Sequence, residues 1–230
     1  MIVVGAGLSG SEVAWGLARL RVPTLLITTS LDTIAALPGD GWAFAPPASG
    51  LLARLSVEAG GPDAWRARDL HRAVKRELER EGALHVLQST VTGLLSDRDG
   101  RVRGVDTWEG VPREADRVAL CVGSFLAARL RIGATVEVAG RLSELADDSL
   151  YEDLEARGVV FERRRLTLAG DDLSPGYEVE HSVLAPGEVG EDGAMLRLPG
   201  LYAFGLCAGG SPDLQQSARA GVAALRTLAR

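Results

Sequence analysis

The chain opens on Met1-Ile2-Val3-Val4 followed directly by Gly5-Ala6-Gly7-Leu8-Ser9-Gly10. A short apolar run without polar alternation reads as a strand buried on both faces, the kind found in parallel sheets covered on both sides. An apolar-periodic helix follows from about Leu8 to Leu20. Pro23 marks a restart, and Thr24-Leu25-Leu26-Ile27-Thr28 reads as a second buried strand. Residues 1–28 therefore form a βαβ unit with GxGxxG at its first turn. Each glycine has a physical task there: Gly5 the tight turn, Gly7 the close approach of a pyrophosphate to backbone, Gly10 the contact between helix and strand. The helix N-terminus adds free N–H groups and the positive end of its dipole. Ala14, small as well, keeps the helix near the sheet.

The remainder extends this unit. Residues 30–62 are rich in Gly, Pro and Ala and read as a long loop, with Trp42 and Phe44 placed either over a ligand or against the core. Residues 64–82 form an amphipathic helix with Leu70, Val74 and Leu78 on one face and Gly82 at its stop. Residues 84–88 (LHVLQ) are a third parallel strand. The turn at 97–100 (DRDG) separates two alternating runs and signals a hairpin, which opens a β-meander leading into the strand at 117–123. Residues 132–198 read as a less regular insert, with a helix near 147–157, a strand at 158–165 and a Gly/Pro-rich stretch to Pro199. Residues 201–205 form another buried strand, and a helix over 213–229 ends the chain. The order predicts an α/β fold: one doubly wound, Rossmann-like nucleotide-binding domain over 1–230, with a meander crossover and a small insert.

Glycine supplies 28 of 230 residues and aromatics only 5%. That glycine share is about 12%, against roughly 7% in ordinary proteins. The excess falls largely at the expected strand ends (Gly5, Gly7, Gly10, Gly123, Gly205, Gly209, Gly210) and in the long loop. A net charge of −6 gives no whole-chain attraction to nucleic acid. Arg163-Arg164-Arg165 reads as a solvated strand end rather than an RNA contact. The two cysteines, Cys121 and Cys207, form no disulfide framework and no zinc spacing, and both read as small packing residues. His71, His85 and His181 show no metal-ligand spacing, so no metal is expected. Asp147-Asp148 and Asp171-Asp172 read as turn and helix-start residues. No apolar stretch is long enough to span a membrane, no signal peptide precedes the first strand, and a reducing cytoplasm is the expected compartment.

A dinucleotide fingerprint usually places Asp or Glu at the end of the second strand, on the ribose. Here that end reads Ile27-Thr28-Thr29-Ser30, with Asp32 too far along. Hydroxyls replace the carboxylate, which argues against an NAD-dependent dehydrogenase, and no arginine lies in 27–31 to favour a 2′-phosphate. Val122-Gly123 and Gly205-Leu206-Cys207 end two further parallel strands, where ligands of open α/β sheets bind. The last helix starts just beyond and points its N-terminus toward the same edge.

Four segments together resemble the flavin domain of the GidA (MnmG) family, which modifies the wobble uridine of tRNA, and of the related folate-dependent tRNA methyltransferases. They are VVGAGLSGSEVA (3–14), TLLITTSLDTIA (24–35), VALCVGSFLAARLRIG with Gly140-Arg141 (118–133, 140–141), and GLYAFGLCAGGSPDLQQSARAGVAA (200–224). The resemblance implies FAD, and in this family Thr commonly ends the second strand. It further implies that Gly5, Gly7, Ser9 and Gly10 hold the pyrophosphate and that Thr28 and Thr29 sit at the adenosine ribose. Val91 would face the adenine through its backbone, and Val122 and Gly123 would flank the adenosine half. Gly205, Leu206 and Cys207 would approach the ribityl chain and flavin, with Gln216 and Ser217 nearby.

The sequence also departs from that family. The loop after Leu31-Asp32-Thr33-Ile34 reads Ala36-Leu37-Pro38-Gly39-Asp40-Gly41-Trp42, without the family's cysteine. Residues 140–198 lack its Thr-Gly-Thr-Pro run, and neither its NADH-holding insert nor its C-terminal helical domain is found. The expectation is an FAD-binding oxidoreductase without an assignable catalytic residue, with NADH as a compatible electron donor. The alternative is a flavin-bearing module that works with tRNA or a partner protein in wobble-uridine modification.

Overall fold

A computed structural model describes residues 1–37, 45–58, 67–170 and 175–230. Its centre is a five-stranded, all-parallel sheet. In chain order its strands are β1 (Ile2–Val4), β2 (Thr24–Thr28), β3 (Leu84–Gln88), β7 (Val118–Leu120) and β14 (Leu201–Ala203), and across the sheet they run β14-β7-β1-β2-β3. Central β1 pairs Val3 with Leu26 on one side and with Ala119 on the other.

The period-2 alternation of strands divides the core in two. Val3, Leu26 and Ala119 face the helices α1 (Leu8–Arg19), α2 (Leu51–Glu58), α3 (Ala67–Arg80) and α5 (Leu214–Leu228), meeting Val13, Leu17, Leu70, Val74, Leu78 and Leu228. Ile2, Val4, Ile27, Val118 and Leu120 face the opposite way. There they meet the meander β4 (Val91–Ser96), β5 (Val102–Thr107) and β6 (Arg113–Glu114), together with Leu150 and Leu154 of α4 (Ser149–Ala156). The expected hairpin turn is closed by Asp97, whose Oδ1 accepts from the N–H groups of Asp99 and Arg101 at 3.1 and 3.0 Å.

Two segments correct the sequence reading. Residues 51–58, expected as loop, form α2, whose Leu51, Leu52 and Leu55 are buried. The irregular insert is mostly antiparallel sheet. It holds β8 (Arg129–Ile132), β9 (Thr135–Glu137), the short pair β10 (Ala139–Arg141) and β11 (Glu144–Leu145), and the long hairpin of β12 (Phe161–Leu168) and β13 (Tyr177–Leu184). Expected as Gly/Pro-rich coil, β13 pairs with β12 over its whole length and with β8 on its other edge. It has a satellite core of its own, built from Leu130, Ala139, Tyr177 and Val179. The loop residues Trp42 and Phe44 and the pair Asp171-Asp172 lie outside the described residues.

Candidate functional site

The glycine turn after β1 is locked from several directions. Gly5 has φ +97°, a conformation that disfavours side chains, and its N–H donates to Ile27 O at 2.8 Å. A Cβ on Gly10 would sit 1.8 Å from Gly5 O, so backbone meets backbone there. A Cβ on Gly7 would meet nothing within 4 Å. Gly7 is also the N-cap of α1, with no side-chain cap and no acidic residue in the first turn. The positive end of α1 thus points, uncapped, into open space, and open space with free amides suits an anion.

Around that point lies a cavity of about 260 Å³ along the carboxyl ends of the sheet. Ten of the expected site residues line it: Gly5, Gly7, Ser9, Thr28, Thr29, Val91, Val122, Gly123, Leu206 and Ser217. Ser9 is buried, and its Oγ has no hydrogen-bond partner in the protein. A buried hydroxyl left without a partner is costly, so this atom fits a site completed by a polar ligand.

Four expected residues stand elsewhere. Gly10 lies beneath the turn, as described. Gly205, at φ +76°, brings its backbone against Ser9, where a Cβ would lie 3.1 Å from Ser9 Oγ. Cys207 is fully buried in the short turn after β14, with its Sγ 3.5 Å from Leu120 O and 3.4 Å from Phe204 O, either of which can accept its one proton. Burial pushes its thiol up to about 11, and burial likewise holds Cys121 far above the usual thiol range. Gln216 lines a second cavity, against Gly205 and Gly210, rather than the first. The first turn of α5 is also less open than its sequence suggested, because Asp213 caps it by accepting from Gln216 N–H at 2.8 Å.

The far wall comes largely from the insert, where no site residue is expected from the sequence. Leu166, Leu168 and Tyr177 of the β12–β13 hairpin line it, as do Phe125 and Arg141. Arg141 donates to Ala36 O at 3.2 Å and pairs with Glu144 at 3.1 Å, which fastens the insert to the end of the β2 loop. Asp32 is exposed and does not line the cavity. His71 Nδ1 lies 2.7 Å from Ile34 O, His85 is exposed and His181 is buried. Among the described residues no group of three or more metal-type side chains gathers, and no helix is long and apolar enough to cross a membrane. Of the three consecutive arginines, Arg163 donates to Ala127 O at 2.9 Å and Arg164 to Gly209 O at 3.3 Å, while Arg165 is exposed and stands 3.9 Å from Glu178 and Glu180.

Comparison with known proteins gives the family and the fold. The family described as Glucose inhibited division protein A matches residues 1–63 and 58–169. The tRNA uridine 5-carboxymethylaminomethyl modification enzyme MnmG of Chlamydia trachomatis serovar L2b is 32% identical over 184 residues, covering 69% of this chain and 30% of that protein. The enzyme of the same name from Chlamydia muridarum is 29% identical over 214 residues, 82% of this chain and 35% of that protein. The chain thus spans about a third of the length of these relatives. The crystal structure of the GidA-related protein from Thermus thermophilus superposes with a TM-score of 0.88 at 39% identity, covering 99% of this chain and 96% of that one. Aquifex aeolicus GidA shares the fold, with a TM-score of 0.82 at 16% identity over 100% of this chain and 63% of that one.

Proposed function

Because the chain belongs to the Glucose inhibited division protein A family, we propose that it is an FAD-binding oxidoreductase, with the whole chain serving as one flavin domain. The observation that carries this reading is the uncapped glycine turn beside the unpartnered Ser9 hydroxyl, with threonines at the end of β2 where an NAD fingerprint carries its ribose-binding carboxylate. Gly5 and Gly7 would hold the pyrophosphate, with Ser9 supplying a hydroxyl and Gly10 allowing α1 to approach. Thr28 and Thr29 would face the adenosine ribose, and Val91 the adenine. Val122 and Gly123 would flank the adenosine half. Leu206 and Ser217 would lie toward the flavin, with Gly205 and Cys207 as the packed turn behind it.

Bound FAD supplies the electron or hydride transfer, and the protein positions and tunes it. The chain's own contribution is steric and electrostatic. It offers backbone amides to the phosphates, apolar walls from the insert, and a cavity whose charged pair Arg141–Glu144 is already mutually engaged. No catalytic acid or base is assigned. The test is optical and analytical: purified protein should absorb as a flavoprotein and release FAD on denaturation, identified by mass. A colourless protein that takes up no FAD, or one that releases NAD, overturns the reading. Bleaching by NADH tests that donor.

A second reading is favoured by the relatives themselves, which are tRNA uridine modification enzymes about three times as long. In it the chain is a cytoplasmic flavin module that acts with tRNA or a partner protein. Co-purification with either separates it from a self-contained oxidoreductase.

A further inference from the structure

At the adenosine end of the cavity, the proposed cofactor contacts use Val91 but leave Ser89 and Thr90 before it unassigned. β3 is the edge strand, two strands from the glycine turn across β2, and neighbouring strands lie about 4.8 Å apart. A dinucleotide with its pyrophosphate at Gly7 and its ribose at Thr28–Thr29 therefore carries its base to the residues that follow β3. These are Ser89, Thr90 and Val91, and all three line the cavity. Ser89 is 4% exposed, and its Oγ lies 2.7 Å from Oε2 of Glu109. Glu109 belongs to the turn between β5 and β6, which is fastened to the same place by Trp108 N–H donating to Thr90 O at 3.0 Å.

The direction of that hydrogen bond follows from the charge on Glu109. The hydrogen bond from the Ser89 hydroxyl holds its carboxyl below the usual carboxylate range, so it is ionised at neutral pH. An ionised carboxylate only accepts. The proton of Ser89 is therefore committed to Glu109, and its oxygen keeps only lone pairs for anything else. We propose that the Ser89–Glu109 pair makes this end of the site selective for a base that donates at its six-position, adenine, over hypoxanthine, whose carbonyl oxygen there would face the serine lone pairs. The inference rests on the reading of the cavity as a dinucleotide site.

The test is titration of cofactor-stripped protein with ADP and with inosine diphosphate. Wild type should favour ADP by about tenfold or more, because a site that hydrogen-bonds a donor leaves its own group unpaired with the wrong ligand. In Glu109→Gln the new amide can donate to Ser89 Oγ and free the hydroxyl proton, so the preference should fall toward parity. Ser89→Ala should lose ADP affinity while binding inosine diphosphate as before. Glu109→Gln, on an exposed turn, carries the test by itself if Ser89→Ala fails to fold. Equal binding of the two ligands by wild type, or a preference unmoved in Glu109→Gln, overturns the proposal alone when ADP and FAD both bind. If wild type binds neither ADP nor FAD, the dinucleotide reading falls and this inference falls with it.

Discussion

Glu12 Oε2 accepts a hydrogen bond from the backbone N–H of Leu51 at 2.7 Å. Its Oε1 accepts from Leu52 N–H at 2.9 Å, so one buried carboxylate of α1 caps the N-terminus of α2. Its side chain is fully buried, and desolvation raises its pKa from 4.5 to about 7 against the opposing pull of the two amides.

The consequence is a stability that falls as pH rises. Below 4.5 the carboxyl is protonated in both folded and unfolded chains. Between 4.5 and about 7 the unfolded chain releases the proton while the folded chain retains it. Stability present at acid pH is therefore lost progressively through that window, on the order of 3 kcal/mol in all. Glu12→Gln carries no charge to desolvate, so its denaturation midpoint should be flatter across the same window than that of wild type. Equal slopes for the two proteins would mean that Glu12 does not control the pH dependence.

The same contact shows what the sequence conceals. α2 has eight residues, behind a Gly- and Pro-rich stretch, and its cap stands 39 residues upstream. Local capping signals could not reveal it. β13 was hidden differently: Tyr177, Val179, His181 and Val183 alternate correctly, but the strand is recognisable only through its partners β12 and β8. By contrast, the glycine turn was legible because each of its constraints is local: a forced φ at Gly5, a backbone contact at Gly10, open space at Gly7. Gln216 lines the second cavity alone, whereas its neighbour Ser217 lines both, a distinction of side-chain direction that no sequence pattern reports.

The cysteines should be inert in the folded protein. Both are buried, and the nucleophile in thiol chemistry is the thiolate, which burial suppresses at each position. A chromogenic disulfide reagent at neutral pH should find no reactive thiol in native protein and two after denaturation. Rapid modification of Cys207 in the native state would instead mark it as a redox group. Cys207→Ala should keep any flavin reduction by NADH while losing about 1–2 kcal/mol of stability from the small cavity it leaves.

Ser9 should separate binding from folding. Its buried Oγ has no partner within the protein, so Ser9→Ala removes an uncompensated polar atom and should leave the melting temperature unchanged or slightly raised. If the cofactor supplies the missing partner, the same substitution should weaken FAD binding by about five- to tenfold, since a hydrogen bond to an anionic or polar group contributes roughly 1–1.5 kcal/mol. Flavin affinity measured by fluorescence quenching checks this, and unchanged affinity would show that Ser9 does not touch the ligand.

Gly7 and Gly10, three residues apart, should fail in opposite ways. A Cβ at Gly10 would lie 1.8 Å from Gly5 O. Backbone on both sides cannot yield as a flexible side chain would, so Gly10→Ala must push α1 off the sheet. A destabilisation of about 3 kcal/mol or more is expected, at the upper end of overpacking costs. A Cβ at Gly7 meets no protein atom within 4 Å, so Gly7→Ala should fold as wild type does. It would nonetheless place a methyl group at the uncapped end of α1, where a pyrophosphate must approach backbone. Gly7→Ala should therefore be purified folded but depleted of flavin, whereas Gly10→Ala should lose both. Full flavin occupancy in Gly7→Ala would move the phosphate site away from this turn.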